Sequence, residues 1–252
     1  MLEAKLRTEM MLSELKKGLV PQSLSRMIVE LKLFLQGKKD SRTVRKIFSK
    51  IYRKNRWGGK SGDLYSGEGS HNNLFVKPYV NLIVGFLKKQ DYRKLRLVDL
   101  GCGDFNVGAN FIGYCSEYIG VDVVPAVIQK LKANKYQEHV KFLCLDIING
   151  ELPDGDICFL RQVLQHLSNR QIVKILPKLK KYRIVFITEH YPLDNNKIIP
   201  NKEITPGSNV REDINSAVYL NRPPFNIPDK NLQLVLEARH PKYILRTYKL
   251  EF

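Results

Sequence analysis

The chain has few cysteines and no long apolar run. Its four cysteines, Cys102, Cys115, Cys144 and Cys158, form no C-x-x-C pair. That spacing excludes a zinc ribbon or a thioredoxin-like redox pair and fits reduced thiols in a cytoplasmic protein. No stretch approaches the ~20 apolar residues that span a bilayer, and no signal peptide opens the chain. The P-loop pattern G-x-x-x-x-G-K-[ST] is missing. So is G-x-G-x-x-G: after Gly101-Cys102-Gly103 the next glycine is Gly108, two places late for a dinucleotide fold. No spacing of His, Cys, Asp or Glu matches a metal motif, so no metal is expected; the trio Glu189, His190 and Asp194 has the right residue types without the right pattern. Internal repeats and low-complexity runs are absent too.

Negative charge is scarce at one end. Of 252 residues, 42 are Lys or Arg and 25 are Asp or Glu, a formal net charge of +17. Residues 1–60 hold 16 Lys/Arg against 5 Asp/Glu, so most of the excess sits there. A basic segment ahead of a nearly balanced body points to an anionic partner: nucleic acid, an anionic membrane surface or a charged substrate.

Periodicity divides the chain into three parts. Residues 1–20 and 22–36 read as basic amphipathic helices, with Leu2, Leu6, Met10 and Leu15, then Leu24, Ile28, Leu31 and Leu35, near helical spacing. They suit packing on the body, a membrane surface or a homodimer contact. A further helix over 40–60 completes a basic extension, 1–60. The segment 61–94 holds a Gly/Ser-rich loop able to close over a ligand and a helix over 73–90, with Leu74, Val80, Ile83, Val84 and Leu87 on its apolar side. From residue 95 to 252, strands at Leu95–Leu100, Tyr118–Val121, Val140–Leu145, Ile157–Leu160 and Ile184–Thr188 alternate with helical stretches at 107–115, 125–135, 162–167 and 170–180. That alternation predicts an α/β fold with a mostly parallel sheet, right-handed crossovers and helices on both faces. A polar insertion at about 190–230 precedes two closing strands, expected as an antiparallel pair at one sheet edge.

The apolar strand L-R-L-V-D-L runs into G-C-G-D-F-N-V-G, residues 95–108. Glycines there let backbone approach a ligand, and a helix start aims free N–H groups at it. The string V-D-L-G-C-G resembles the glycine-rich turn of class I S-adenosylmethionine-dependent methyltransferases, which have a Rossmann-like fold. The resemblance continues in order through Y-I-G-V-D, ending at Asp122, 19 residues after Gly103, then V-K-F-L-C-L-D-I and G-D-I-C-F-L-R-Q-V-L-Q-H-L. It implies that Asp99, Gly101, Cys102 and Gly103 line the methionine end of S-adenosylmethionine and of its product S-adenosylhomocysteine. Asp122 and Val123 would meet the ribose, Asp146 and Ile147 the adenine, and Arg161 or Gln162 the edge of the pocket. Two outer stretches, Y-R-K-N-R-W-G-G-K-S-G-D-L-Y-S-G-E-G-S and T-E-H-Y-P with its downstream P-N-K-E-I-T-P-G-S-N-V-R, resemble a narrower group associated with bacterial surface-polysaccharide and glycan biosynthesis.

Methyl transfer to a hydroxyl benefits from a base that takes the proton during attack. His190, placed just after the fifth strand, is the preferred base. Glu189 is an alternative or a partner, His166 sits in the helix after the fourth strand, and His71 is a weaker third histidine. Arg211 and Arg222 are candidate forks for an anionic group on the acceptor. Trp57, Tyr65 and Phe225 could supply aromatic walls. The resulting expectation is O-methylation of a sugar, nucleotide-sugar or glycan intermediate. The alternative is an RNA methyltransferase that uses the basic N-terminus. It lacks support from the fourth strand, where F-L-R-Q-V stands in place of an N-P-P-[YF]-like motif. A binding-only protein that keeps the fold is a third reading.

Overall fold

In a computed structural model, the described residues are 43–60, 62–91, 93–193 and 197–252. The helices expected over 1–20 and 22–36, with their membrane or dimer roles, and Asp194 all lie outside them. Val44–Phe252 forms one compact unit. Its frame is a seven-stranded sheet in the order β3-β2-β1-β4-β5-β7-β6. The strands are β1 Arg96–Leu100, β2 Glu117–Asp122, β3 Val140–Cys144, β4 Ile157–Arg161, β5 Ile184–Pro192, β6 Leu232–Arg239 and β7 Tyr243–Glu251. The first five are parallel. β7 runs antiparallel between β5 and β6, closing the sheet with a hairpin. The expected mixed α/β architecture is thus present, with its antiparallel pair at one edge.

Among the described residues, four α-helices flank the sheet: α1 over 43–53, α2 Asn73–Leu87, α3 Pro125–Ala133 and α4 Asn169–Ile175. α1 buries Val44, Phe48, Ile51 and Tyr52 into the main core, a stripe at the i, i+4, i+7, i+8 spacing of a packed helix. α1, within the segment read from the sequence as a basic extension, thus packs its apolar face on the body. α2 turns Phe75, Tyr79, Ile83 and Leu87 inward, whereas Leu74, expected on the apolar side, is 62% exposed. Asn72 caps this helix by accepting from the Leu74 amide. α4 begins with a capping box between Ser168 and Gln171.

Two local expectations fail for identifiable reasons. The helix expected over 107–115 is a pair of 3₁₀ turns, Gly108–Asn110 and Ile112–Tyr114. Phe105 adopts φ +68° and buries its ring against Tyr118 and Phe142, so the chain turns inward before a helix can propagate. The helix expected over 162–167 is likewise one 3₁₀ turn, Leu164–His166. β5 runs four residues beyond its expected end at Thr188. Thr188 pairs with Arg161, the end of β4, and past that point β7 alone carries the ladder: Glu189 pairs with Arg246 and His190 with Leu245. Polar residues that read as loop are therefore strand.

No α-helix connects β3 to β4; the chain crosses in a short loop. The Lys178 ammonium holds that loop by donating to the carbonyls of Ile147, Ile148 (3.0 Å) and Gly150 (2.9 Å). Burial pushes this lysine's pKa down. Hydrogen bonds from a charged donor are worth about 1.5–3 kcal/mol in favourable settings. Lys178→Met is expected to lower unfolding stability by about 1–3 kcal/mol in urea titrations. Stability equal to wild type would mean that water serves these carbonyls equally well.

Candidate active site

The strand order reverses between β1 and β4, and a ligand crevice is expected at the carboxyl ends of strands flanking such a point. A cleft of about 340 Å³ opens there. Gly101 (φ +84°) and Gly103 (φ +53°) form its floor. A Cβ on Gly101 would lie 2.4 Å from Val163 Cγ2, and one on Gly103 would lie 2.3 Å from Ser66 Oγ. Both conformation and space therefore require glycine.

Asp122, at the end of β2, ties this floor together. Its carboxylate accepts from the amides of Gly103 (3.2 Å) and Val124 (2.9 Å). Burial pushes its pKa up to about 6 against the pull of these amides. Asp99 lies behind the floor and accepts from the Tyr118 hydroxyl at 2.7 Å. It too is raised to about 6 by burial. Asp146 borders the cleft beside Ile147 and fastens its own turn, accepting from the Ile148 amide and the Asn149 side chain. Cys102 and Val123 border it as well.

The Gly/Ser loop closes over this floor. Ser66 and Asp104 bond reciprocally: the Ser66 amide donates to the Asp104 carboxylate (2.8 Å), and the Asp104 amide donates to Ser66 Oγ (2.7 Å). His71 Nε2 joins the same carboxylate at 2.7 Å, and Tyr52 OH meets Ser66 Oγ at 2.9 Å. Arg161 donates to the Gly69 carbonyl at 2.6 Å. Gly69 approaches Gln162 so closely that a Cβ would lie 2.1 Å from its amide oxygen. Arg161 Nε and Gln162 Nε2 are buried donors with no partner.

The far end of the cleft is built by Phe48, Trp57, Gln165, His166, His190 and Tyr243. Strand alternation separates two neighbouring candidates. Glu189 turns away from the cleft and accepts from the amides of Val163 (3.2 Å), Leu164 (2.9 Å) and Gln165 (3.1 Å). Burial drives its pKa up to about 8 while these amides oppose it. Glu189 is thus the anchor of the 3₁₀ turn after β4, not a base facing an acceptor. His190, on β5 rather than after it, borders the cleft. Its ring stacks on Tyr243 (4.4 Å, 14°), its Nδ1 lies 2.6 Å from Glu212 Oε1, and its Nε2 is buried without a partner.

Three further expectations are corrected. His166 packs against Trp57 (5.2 Å) and Phe48, with Nδ1 3.3 Å from the Asn209 carbonyl, and burial depresses its pKa to about 4. It is a neutral wall. Arg211 is completely buried, donating to the carbonyls of Leu167 (2.7 Å) and Lys202, so it staples the insertion to the body. Arg222 is exposed and outside the cleft, its carbonyl accepting from Asn201. Neither arginine borders the cleft. Tyr65 stacks on His71 (4.2 Å) in a neighbouring cavity, and Phe225 packs on the core; Trp57 alone of the three aromatics borders the cleft. Among the described residues, no group of three or more His, Cys, Asp or Glu is placed to hold a metal ion.

Sequence reasoning missed Glu212, Tyr243, Gln165 and the Ser66–Asp104 pair. Only Ser66 carried a signal, through its glycine-rich loop.

The sequence of residues 98–180 matches the family profile described as a methyltransferase domain. The fold is shared with solved methyltransferases: magnesium protoporphyrin IX methyltransferase (ChlM) from Synechocystis PCC 6803 with bound SAM, at 15% identity and TM-score 0.54, covering 84% of this chain and 96% of that one. It is shared also with 1,6-didemethyltoxoflavin-N1-methyltransferase from Burkholderia thailandensis, at 14% identity and TM-score 0.54, covering 85% and 90%. The N-methyltransferase NodS from Bradyrhizobium japonicum WM9 aligns at 14% identity and TM-score 0.53, covering 79% and 98%. No curated protein sequence matches the chain. The geometry of the cleft fits S-adenosylmethionine: a floor with no room for Cβ atoms, a buried carboxylate at the end of β2, and two unpaired buried donors on Arg161 and Gln162.

Because His166 is held neutral, folding depresses its pKa from about 6.5 to about 4. Its contribution to stability is therefore present above pH 6.5 and lost as pH falls toward 4. Asp99 and Asp122, raised on folding, act with the opposite sign in the same window. The test is thus a difference: in thermal unfolding, His166→Phe should lose less stability than wild type between pH 7.5 and pH 5. Parallel curves would mean that His166 titrates normally.

Proposed function

We propose that the chain is an S-adenosylmethionine-dependent O-methyltransferase acting on an uncharged hydroxyl acceptor of sugar or glycan type, with His190 as general base. The observation that carries this reading is the sorting of charge in the cleft. On a chain of net charge +17, the described residues that border the cleft include Glu68, Asp122 and Asp146 and a single Lys or Arg, Arg161, already bonded to the Gly69 carbonyl. Among the described residues a phosphate-bearing acceptor would find no arginine fork there, since Arg211 is buried elsewhere and Arg222 faces solvent. This disfavours nucleotide-sugars and RNA as acceptors. Trp57 and Phe48 border the cleft with aromatic surface, which suits the faces of a neutral sugar ring.

In this reading Asp122 accepts from the ribose, Asp146 and Ile147 border the adenine, and Arg161 and Gln162 direct their spare donors at the methionine carboxylate. The cofactor supplies an electrophilic methyl group. The protein aligns the acceptor, closes the Gly/Ser loop against water, and receives the hydroxyl proton at His190 Nε2. Alignment supplies up to ~7–11 kcal/mol of the barrier in well-oriented systems. A positioned base adds ~10²–10⁴-fold.

S-adenosylhomocysteine should bind in calorimetry, and Asp122→Asn should weaken it. The carboxylate is the form that accepts from ribose, and its pKa is about 6. Affinity should therefore fall up to about tenfold between pH 7.5 and pH 5, with a flatter slope in Asp122→Asn. A slope unaffected by the substitution would remove Asp122 from the cofactor site.

Acceptor screening with radiolabelled S-adenosylmethionine should favour neutral glycosides over nucleotide-sugars. His190→Asn should cut kcat about 10²–10⁴-fold while leaving S-adenosylhomocysteine affinity intact. Preferential turnover of a nucleotide-sugar would sink the charge argument.

A further inference from the structure

We propose that Glu212, carried by the 190–230 insertion, is the positioning residue that holds His190 in the tautomer with the proton on Nδ1, leaving Nε2 as the free basic nitrogen in the cleft. This inference rests on the reading of His190 as the base and deepens it. Neither the methyltransferase-domain match, which ends at residue 180, nor the glycine-turn pattern includes Glu212.

The geometry is specific. Glu212 Oε1 lies 2.6 Å from His190 Nδ1, and each side chain is only 10% exposed. A carboxylate accepts and does not donate, so at that distance the shared proton resides on Nδ1. Nε2 is then the nitrogen left for a reacting proton, and it is buried, unpartnered and on a residue bordering the cleft. Glu212 Oε2 is buried and unpartnered too, so this carboxylate is directed at the histidine by one oxygen alone. Stacking on Tyr243 at 4.4 Å and 14° keeps the ring from rotating its two nitrogens.

The insertion is built to deliver this carboxylate. Buried Arg211, immediately before it, bonds to the Leu167 and Lys202 carbonyls. The Arg211 carbonyl in turn accepts from the amides of Ile214 (3.1 Å) and Ser216 (3.0 Å), and Asn215 closes the turn at φ +51°. Glu212 therefore leaves a turn fixed at both ends. The other ionisable groups near His190 do different work. Glu189 is engaged by three amides, His166 is held neutral against Asn209, and Tyr243 is the stacking partner. Glu212 is the carboxylate whose oxygen meets the ring.

The test reads the tautomer directly and needs no acceptor. Long-range ¹H–¹⁵N spectra of the whole chain at pH 8 report which nitrogen of each of the five histidines carries the proton. The His190 signals are identified by their loss in His190→Asn. Wild type is expected to show a protonated Nδ1 and a bare Nε2. Glu212→Ala should move the proton to Nε2. Glu212→Gln, whose amide oxygen still accepts, should restore the wild-type pattern, and calorimetric binding of S-adenosylhomocysteine should be unchanged in both variants. A wild-type spectrum with the proton on Nε2 overturns the proposal. So does a Glu212→Ala spectrum identical to wild type in a variant that binds S-adenosylhomocysteine normally. If the tautomer switches as expected while no hydroxyl compound is methylated, Glu212 keeps its role and the O-methylation reading alone falls.

Discussion

One buried carboxylate organises the ligand-binding end of this molecule. Asp122 receives the amides of Gly103 and Val124, so the glycine turn after β1 and the chain leaving β2 are joined through a single side chain. The Gly101 and Cys102 amides, which donate to the Val121 carbonyl, join the same two segments through the backbone, and Asp122 adds the side-chain bonds that hold Gly103 in place. With the turn fixed, Asp104 stands where Ser66 and His71 can bond to it, and the Gly/Ser loop acquires a seat. Burial raises the Asp122 pKa while the amides restrain it. The group is thus held near the edge of protonation, where a further hydrogen-bond donor from a ligand has leverage.

Charge is distributed against the composition of the chain. The cationic surplus lies mainly in the first 60 residues, whereas among the described residues the cleft is bordered by three carboxylates and one arginine. Arginines that would have suited an anionic acceptor perform structural work: Arg211 satisfies backbone carbonyls inside the insertion. A buried guanidinium with backbone partners fixes geometry, and here the geometry it fixes is that of the next residue, Glu212.

Two adjacent residues show how strand register assigns roles. Glu189 and His190 are equivalent as polar residues beside a strand end. Their side chains leave opposite faces of β5. One serves the backbone of the turn after β4, and the other borders the cleft with an unengaged nitrogen. That register exists because β7 continues to pair with β5 after β4 has ended.

The local signals in the chain were enough for the parallel strands, the antiparallel closing pair, the glycine floor and the placement of Asp122 and Asp146 beside it. Each rests on short-range chemistry: apolar alternation, glycine at positive φ, a carboxylate at a strand end. The failures were long-range. The 3₁₀ turns after β1 and β4 depended on where Phe105 found a pocket and on what Glu189 could reach. The buried fate of Arg211 depended on carbonyls 44 and 9 residues away, and the pairing of Glu212 with His190 spans 22 residues. Sequence pattern reports what a segment favours by itself. Which side chain meets which is decided when the sheet closes, because burial then charges every polar group for lacking a partner.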